Sequence, residues 1–138
     1  MKIIYWSGTG NTEEMANLIA KGIEKGGKNA ELIKVEDASV DSIKEEDTIV
    51  LGCSAMGDEV LEEYEMDPFI ESISQEVQGK KVALFGSYGW GDGTWMRNWE
   101  ERMIGYGAEV IKESLIVNNF PEGEDVDRCI EFGLQLAK

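Results

Sequence analysis

Residues 3–16 read Ile3-Ile4-Tyr5-Trp6-Ser7-Gly8-Thr9-Gly10-Asn11-Thr12-Glu13-Glu14-Met15-Ala16, an apolar run that passes through a six-residue loop into a helix-like segment. In the loop, Gly8 and Gly10 allow a tight turn that exposes backbone N–H groups. The uncharged hydrogen-bond donors of this loop are Ser7, Thr9, Asn11 and Thr12. The N-terminus of the following helix contributes further unpaired N–H groups and a partial positive charge. The stretch therefore predicts a strand–loop–helix unit that binds a terminal phosphate.

This loop differs from two better-known phosphate loops. A nucleotide-triphosphate loop requires a lysine after its second glycine, and no lysine follows Gly10. A dinucleotide-binding loop requires a third glycine where this chain has Glu13. A loop with neutral donors and no cation suits a phosphate monoester. The alternative is an ordinary strand-to-helix turn in which Asn11 is the N-cap and Glu14 completes a capping box.

Length and charge limit the class of protein. A chain of 138 residues, 42% of them hydrophobic, fits one globular domain, which we assign to residues 1–138. Its 28 acidic and 13 basic residues give a formal net charge of −15, which disfavours nucleic acid and anionic membranes as partners. No apolar run approaches transmembrane length. We expect a monomer that meets the basic faces of other proteins in transient complexes.

The chain offers few residues for metal or covalent chemistry. Cys53 and Cys129 are its two cysteines, they lie in separate apolar segments, and histidine is absent. This composition contains no metal-ligand or nucleophile–base pattern, so we expect no metal site and no catalytic residue. Buried, reduced thiols, together with a first strand that leaves no room for a signal peptide, predict a cytoplasmic protein.

Apolar runs and amphipathic segments alternate along the chain. Strands are predicted at Lys2–Trp6, Ala30–Val35, Thr48–Cys53, Lys81–Ser87 and Ala108–Val117. Helices are predicted at 11–25, at 40–45, from a cap at Asp67 to Gly79, from a cap at Thr94, and from about Asp125 to the C-terminus. The alternation predicts an α/β fold, namely a doubly wound five-stranded parallel sheet in the order 2-1-3-4-5 with helices on both faces.

Two further glycine-rich loops follow the third and fourth predicted strands. Their sequences are Ser54-Ala55-Met56-Gly57-Asp58-Glu59 and Tyr88-Gly89-Trp90-Gly91-Asp92-Gly93. In the order 2-1-3-4-5, the carboxyl ends of strands one, three and four are neighbours at the topological switch point, where ligands bind in such sheets. We therefore predict that all three loops line one crevice.

Trp90 and Met56 predict the shape of the ligand. Trp90 lies between two glycines on a loop, whereas Trp95 and Trp99 lie on an amphipathic helix and are expected in the core. Trp90 would form a flat wall for a planar aromatic ligand, and Met56 would offer a polarizable surface to the opposite face. The alternatives are a tryptophan that anchors its loop and a methionine that fills a gap. A phosphate site at one end and aromatic stacking at the other describe a site for flavin mononucleotide (FMN).

The three loops together resemble the flavodoxins, specifically the short-chain type of anaerobic bacteria. The resemblance spans the whole chain and is carried by the segments 7–12, Cys53-Ser54-Ala55-Met56-Gly57-Asp58-Glu59 and Phe85-Gly86-Ser87-Tyr88-Gly89-Trp90-Gly91. It implies that Ser54 assists the first loop at the phosphate, that Trp90 and Met56 stack on the outer and inner flavin faces, and that Glu59 accepts a hydrogen bond from flavin N3–H. The full set of residues predicted to bind FMN is Ser7, Gly8, Thr9, Gly10, Asn11, Thr12, Ser54, Ala55, Met56, Gly57, Asp58, Glu59, Ser87, Tyr88, Gly89, Trp90, Gly91, Asp92, Gly93 and Asn119.

The resemblance implies a low-potential one-electron carrier in which FMN shuttles between semiquinone and hydroquinone to pass electrons between redox proteins. Two alternatives remain: an FMN-storage module, and a small FMN-dependent reductase that uses a nicotinamide donor. Gly57 favours the carrier, because a glycine beside flavin N5 can reorient its peptide at low steric cost, although it could also be a plain turn glycine. The acidic residues after Met56 are expected to lower the potential of the fully reduced flavin; they are Asp58, Glu59, Glu62, Glu63 and Glu65.

Overall fold

A computed structural model describes residues 1–111 and 113–138. The strands are β1 (Lys2–Trp6), β2 (Glu31–Lys34), β3 (Thr48–Cys53), β4 (Lys81–Tyr88), β5 (Glu109–Val110) and β6 (Leu115–Asn118). The helices are α1 (Asn11–Lys25), α2 (Met66–Ser72), α3 (Thr94–Gly105) and α4 (Glu124–Leu136), with single turns of 3-10 helix at Val35–Asp37 and Val40–Ser42. None of the helices in these two ranges is long and apolar enough to cross a membrane.

The strands form one parallel sheet in the order β2-β1-β3-β4, with β5 and β6 both paired to β4 at the outer edge. This is the predicted order 2-1-3-4-5, and the predicted fold class is confirmed. The chain reverses its winding direction between β1 and β3, which places the switch point at the carboxyl ends of these two strands.

Alternate residues of each buried strand enter different cores. Ile3 and Tyr5 pack with α1 and α4 on one face of the sheet, whereas Ile4 packs with α2 and α3 on the other. The predicted core positions of Trp95 and Trp99 are confirmed, since each ring is 1% exposed. Burial on both faces explains why β3 and β4 are nearly continuous apolar runs.

Helices α1 and α4 approach each other backbone to backbone. A Cβ atom built on Gly22 of α1 would overlap the carbonyl oxygen of Ile130, and one built on Gly133 of α4 would overlap that of Ile19. Only residues without a side chain permit such an approach at both positions. The two glycines therefore set the distance between these helices.

The predicted fifth strand, Ala108–Val117, is divided into two strands and includes Lys112, which lies outside the described residues. Between the register pairs Val82–Val110 and Phe85–Leu115, β4 advances by three residues and the edge segment by five. The unequal spacing interrupts the ladder of hydrogen bonds. A continuous strand was therefore a wrong prediction, although both parts occupy the predicted place in the sheet.

Helix α2 begins earlier and ends earlier than predicted. The Glu62 carboxylate, which is buried, accepts hydrogen bonds from the N–H groups of Tyr64, Glu65 and Met66 at 2.7–2.9 Å. These donors are the two residues before the helix and its first residue, so the helix begins at Met66, Glu65 is its N-cap and Asp67 is not. Residues 73–78 form turns, so the prediction of one helix as far as Gly79 is also wrong.

Two lysines close the opposite end of the sheet. The Lys80 ammonium donates to the carbonyl oxygens of Ile43, Lys44 and Glu46 at 2.8–3.0 Å. The Lys2 ammonium donates to the carbonyl oxygen of Ser42 at 2.7 Å. These bonds satisfy the carbonyl groups of a segment predicted as a helix at 40–45, of which only Val40–Ser42 forms a 3-10 turn.

Candidate functional site

The first loop is organised by the Ser7 hydroxyl. Ser7 Oγ accepts hydrogen bonds from the N–H groups of Gly10 at 3.2 Å and Glu13 at 3.1 Å. Gly10 is the N-cap of α1 with a φ of 95°, and Asn11 is the first helical residue. The alternative in which Asn11 caps the helix is therefore wrong, and the loop is folded around its own backbone donors.

Thr12 connects the first loop to the other two. Its side chain is fully buried, and its Oγ1 lies 2.6 Å from Ser54 Oγ at the end of β3. The same oxygen accepts the N–H of Ser87, near the end of β4, at 3.2 Å. Since one hydroxyl touches residues of both neighbouring strands, the three loops form one unit.

An inner cavity of about 240 Å³ lies where the three loops meet. Its lining includes the predicted residues Gly8, Thr9, Asn11, Ser54, Ala55, Met56, Ser87, Tyr88, Gly89 and Asn119, together with Trp6. The predicted convergence of the loops at the switch point is thus found in the structure. Ser7 and Gly10 line a separate polar cavity together with Tyr5 and Glu13.

The second loop turns back on itself. Met56 and Val60 exchange two backbone hydrogen bonds of 2.9 and 3.0 Å, which leaves Gly57, Asp58 and Glu59 at the tip. Gly57 is exposed and has a φ of 47°, and Glu59 has a φ of 58°, which is uncommon for a residue with a side chain. The tip is therefore clamped at its base and strained at one residue.

Glu59 presents a buried oxygen with no partner. The residue is 8% exposed, and its Oε2 accepts the N–H of Thr94, the first residue of α3, at 2.8 Å. Its Oε1 is shielded from solvent and has no hydrogen bond within the described residues. An unpaired buried acceptor is costly, so this atom fits a ligand that donates a hydrogen bond.

An outer cavity of about 400 Å³ lies beside Glu59 and is lined by Asp58, Glu59, Trp90, Gly91, Asp92 and Thr94. Trp90 is 65% exposed, which distinguishes it from the buried tryptophans of α3. Asp92 Oδ1 accepts hydrogen bonds from Thr94 Oγ1 and Arg97, and these contacts lower the pKa of the Asp92 carboxyl group. The cavity thus combines a flat aromatic side chain with acidic groups.

The rim of the site is held by the end of β6 and the residue after it. The Asn119 N–H donates to the carbonyl oxygen of Tyr88 at 2.8 Å, and the Asn119 carbonyl oxygen accepts the Ser87 hydroxyl at 2.8 Å. Asn118 donates to the carbonyl oxygens of Tyr88 and Gly89. Asn119 was among the residues predicted to bind FMN, and the structure places it in the lining of the inner cavity.

Three residues of the site did not appear among those predicted. Trp6 lines the inner cavity, Thr94 binds Glu59, and Asn118 holds the third loop. Trp6 could have been inferred, because it ends the strand that precedes the phosphate loop. Thr94 makes its contact through a backbone N–H, and Asn118 makes its contacts across to the end of the neighbouring strand. Neither kind of contact leaves a signal in the sequence.

Other features of the described residues do not line the inner or the outer cavity. A larger cavity of about 730 Å³ lies beside α4, and none of the residues predicted to bind FMN lines it. No group of three or more potential metal ligands occurs within the described residues. Burial raises the pKa of each thiol, at Cys53 and Cys129, to about 12.

The fold and the site together define a class of protein. A doubly wound sheet with a hydroxyl-rich loop at the switch point, an unpaired buried carboxylate oxygen and an exposed ring suits a phosphorylated, planar heterocycle with a hydrogen-bond donor. FMN has all three properties, and the uncharged donors of the first loop suit its phosphate monoester. The class is that of the flavin-binding α/β proteins.

Comparison with known proteins identifies the family. The sequence model of the flavodoxin family matches residues 3–133. The chain is 63% identical to a flavodoxin of Clostridium beijerinckii, over 99% of both chains, and 46% identical to a flavodoxin of Megasphaera elsdenii, over 100% of this chain and 98% of the other. The solution structure of two-electron reduced Megasphaera elsdenii flavodoxin superimposes with a TM-score of 0.89 and 44% identity, over 99% of this chain and 97% of that one.

The chain belongs to the flavodoxin family and is similar to its short-chain members from anaerobic bacteria. Flavodoxins carry electrons by means of bound FMN, which cycles between semiquinone and hydroquinone. The chain is accordingly an electron-transfer protein with FMN as its cofactor and redox proteins as its partners.

Proposed function

We propose that the inner and outer cavities together bind one FMN molecule and that this site serves electron transfer alone. The first loop and Ser54 hold the phosphate, Met56 and Trp90 cover the two faces of the ring, and Glu59 Oε1 accepts the N3–H. The observation that carries the proposal is the buried Glu59 oxygen without a partner, beside an exposed tryptophan ring.

In this arrangement the first loop binds the phosphate and is held in place by Thr12. Backbone N–H groups and neutral hydroxyls of the first loop bind the phosphate without a cation, so the charge of the ligand is matched by dipoles. The buried Thr12 hydroxyl keeps this loop at a constant distance from the ends of β3 and β4. FMN supplies the one-electron chemistry when bound, and the residues around it orient the ring and limit the access of water.

The proposal describes a carrier without a turnover site, formed by one domain over residues 1–138. The outer cavity opens to the surface at Trp90, which suits exchange of electrons with a docked protein. Reductase and storage functions are the alternatives, and the clamped tip at Gly57 favours a carrier, because a glycine at this position allows the peptide to reorient.

We further propose basic-faced redox partners, a monomeric state and a cytoplasmic location. A net charge of −15 attracts basic surfaces and repels a second copy of the chain. Two buried free thiols, whose pKa values are raised to about 12, suit a reducing compartment.

The proposal is tested by preparing the apoprotein and titrating it with FMN and with riboflavin, which lacks the phosphate. FMN should bind far more tightly, because riboflavin leaves the donors of the first loop without a partner. The holoprotein is then mixed with NADH or NADPH in air, and it should show no sustained oxidation of either. Equal affinity for the two flavins would contradict the phosphate site, and steady turnover would establish the reductase.

A further inference from the structure

The position of the Glu59 carboxylate depends on two groups, the side-chain-free backbone of Gly91 in the third loop and the N–H of Thr94, the first residue of α3. We call this pair of groups the carboxylate niche. One oxygen of Glu59 is bound to the Thr94 N–H, and the other is buried against Gly91. The inference below rests on the function proposed above for Glu59.

Gly91 leaves the space that the carboxylate occupies. A Cβ atom built on Gly91 would overlap Oε1 of Glu59 and would lie 3.0 Å from its Cγ. A side chain at this position would therefore displace the carboxylate. Gly89, two residues earlier, has no such constraint, because the nearest atom to a Cβ there would be Asn119 Oδ1 at 3.7 Å.

The N-terminus of α3 fixes the other oxygen. Thr94 is the first residue of α3, and its N–H is one of the donors that have no partner within the helix. A carboxylate at this position is also favoured by the helix dipole. With Oε2 bound to the helix, Oε1 is the oxygen left to accept a bond from a ligand.

The backbone of Glu59 is held as firmly as its side chain. The two hydrogen bonds between Met56 and Val60 close the turn, and Glu59 keeps a φ of 58° within it. Such a conformation persists where the surrounding structure enforces it. The carboxylate is thus fixed by the backbone of the second loop on one side and by the niche of Gly91 and Thr94 on the other.

We propose that Gly91 is a positioning residue: its missing side chain and the N-terminus of α3 hold Glu59 so that the site selects a flavin that carries a hydrogen on N3. A displaced carboxylate would still allow phosphate binding and ring stacking. It would no longer distinguish a ring that donates at N3 from one that cannot.

The test compares the affinity of the apoprotein for FMN and for N3-methyl FMN, in which a methyl group replaces that hydrogen. The parent protein should bind FMN more tightly by roughly tenfold to a hundredfold, the range for a hydrogen bond to a charged group. Gly91→Ala should bring this ratio close to one. Gly91→Asn should do the same, because asparagine tolerates a positive φ but still carries a Cβ. Gly105→Ala, at the far end of α3 where a Cβ meets no atom within 4 Å, is the control and should keep the parent ratio.

A double-mutant cycle identifies the residue through which Gly91 acts. Glu59→Gln should reduce the ratio by itself, and Gly91→Ala should add little in that background, because both changes remove the same contact. Urea unfolding of each apoprotein shows whether it is folded, and the ratio of the two affinities is insensitive to a general loss of binding.

The outcomes distinguish a failure of the proposed FMN site from a failure of the niche alone. A parent protein that binds both flavins equally would overturn the role of Glu59 and, with it, both the proposed site and the niche. A parent that discriminates, with Gly91 variants that bind both flavins more weakly at an unchanged ratio, would overturn the niche alone.

Discussion

At the scale of single residues, the tryptophan at the site differs in exposure from the tryptophans of the core. Trp90 is 65% exposed beside the outer cavity, whereas Trp95 and Trp99 are buried. An exposed tryptophan on a glycine-flanked loop gains little from packing within the protein, so its contribution is expected on binding a ligand. Tyr64, which is 82% exposed, lines neither the inner nor the outer cavity and provides a comparison.

Trp90→Ala is expected to weaken FMN binding by about 1–3 kcal/mol, the range for stacking of a base on an aromatic side chain. Titration of the apoprotein with FMN, followed by quenching of flavin fluorescence, measures the change. Tyr64→Ala should leave the affinity unchanged. An affinity that survives the loss of Trp90 would show that the ring does not stack on this side chain.

Gly57→Thr tests the second loop. A Cβ at Gly57 meets no atom within 4 Å, so the cost of this change is conformational, of order 1–2 kcal/mol for a β-branched residue at positive φ. Restricted reorientation of the peptide should bring the two one-electron potentials of the flavin closer together. A dithionite titration followed by visible spectroscopy measures both potentials.

The control for this change is Gly105→Thr, at a position that is also open but has no positive φ. It should leave both potentials where they are. If Gly57→Thr keeps the parent separation between them, the peptide at Gly57 has no part in setting the potentials.

The residues that sequence reasoning placed in the site share one property: they follow the carboxyl ends of strands in a known order. That order sufficed to bring Ser54, Gly89 and Asn119 into one cavity. It could not show that Ser7 would bind its own loop, or that the backbone of Thr94 would hold Glu59. Such contacts depend on the last few ångströms of loop geometry, which hydrophobic pattern and turn composition do not determine.

At the scale of elements, helices α1 and α4 pack backbone to backbone. Gly22 and Gly133 face each other's backbones, and neither could carry a side chain without moving a helix. Because α1 begins at the phosphate loop, its position relative to α4 also fixes one wall of the inner cavity.

Gly22→Ala is expected to lower the free energy of unfolding by about 1–3 kcal/mol, because the added methyl group meets the backbone carbonyl of Ile130. Urea denaturation of the apoprotein measures the change. Gly105→Ala, on α3 with no atom within 4 Å of its Cβ, is the control and should stabilise the protein by about 0.4–1 kcal/mol. Equal effects of the two substitutions would show that the helices can move apart at little cost.

The boundaries of a helix or strand were predictable where its hydrophobic pattern ended at a residue that typically terminates such an element, as for β1, β3 and α1. The boundaries were predicted wrongly where they depend on contacts with residues outside the element itself. Helix α2 starts before the predicted cap at Asp67, because the buried Glu62 carboxylate binds the N–H groups of Tyr64, Glu65 and Met66, where the helix begins. The division of the edge strand follows from its register against β4, which no local pattern reveals.

At the scale of the whole molecule, the negative charge has distinct parts. Of the five acidic residues after Met56, Glu59 and Glu62 are buried and bound to backbone N–H groups, so they serve structure and site. Asp58, Glu63 and Glu65 are exposed and remain available to act through their charge. The expected electrostatic effect on the flavin is therefore carried by these three.

The triple variant Asp58→Asn, Glu63→Gln, Glu65→Gln should raise the potential of the second reduction step. One charge at about 10 Å in a water-like medium contributes roughly 0.4 kcal/mol, so three contribute about 1.2 kcal/mol, or up to roughly 50 mV. The shift should shrink as salt is added. Potentiometry at low and high ionic strength measures it.

The control for the triple variant removes the same charge far from the site. Glu31 and Glu109 start β2 and β5, and Glu45 precedes β3, all exposed at the opposite end of the sheet. Neutralising these three should change the potential much less. Equal shifts in the two variants would mean that the net charge of the protein, rather than the position of the charges, determines the potential of the second reduction step.

Lys80, at the end of the sheet opposite the site, can serve as a probe in chemical footprinting of that end. An amine reacts with an acylating reagent through a free lone pair, and the three N–H bonds of the Lys80 ammonium are all donated to carbonyl oxygens. Lys80 should therefore be acylated far more slowly than the exposed Lys21, as measured by mass spectrometry of peptides over time. Since its release requires the 43–46 segment to detach, the rate at Lys80 would report how often this end of the molecule opens while FMN remains bound at the other. A Lys80 that reacts as fast as Lys21 would show that the segment detaches freely.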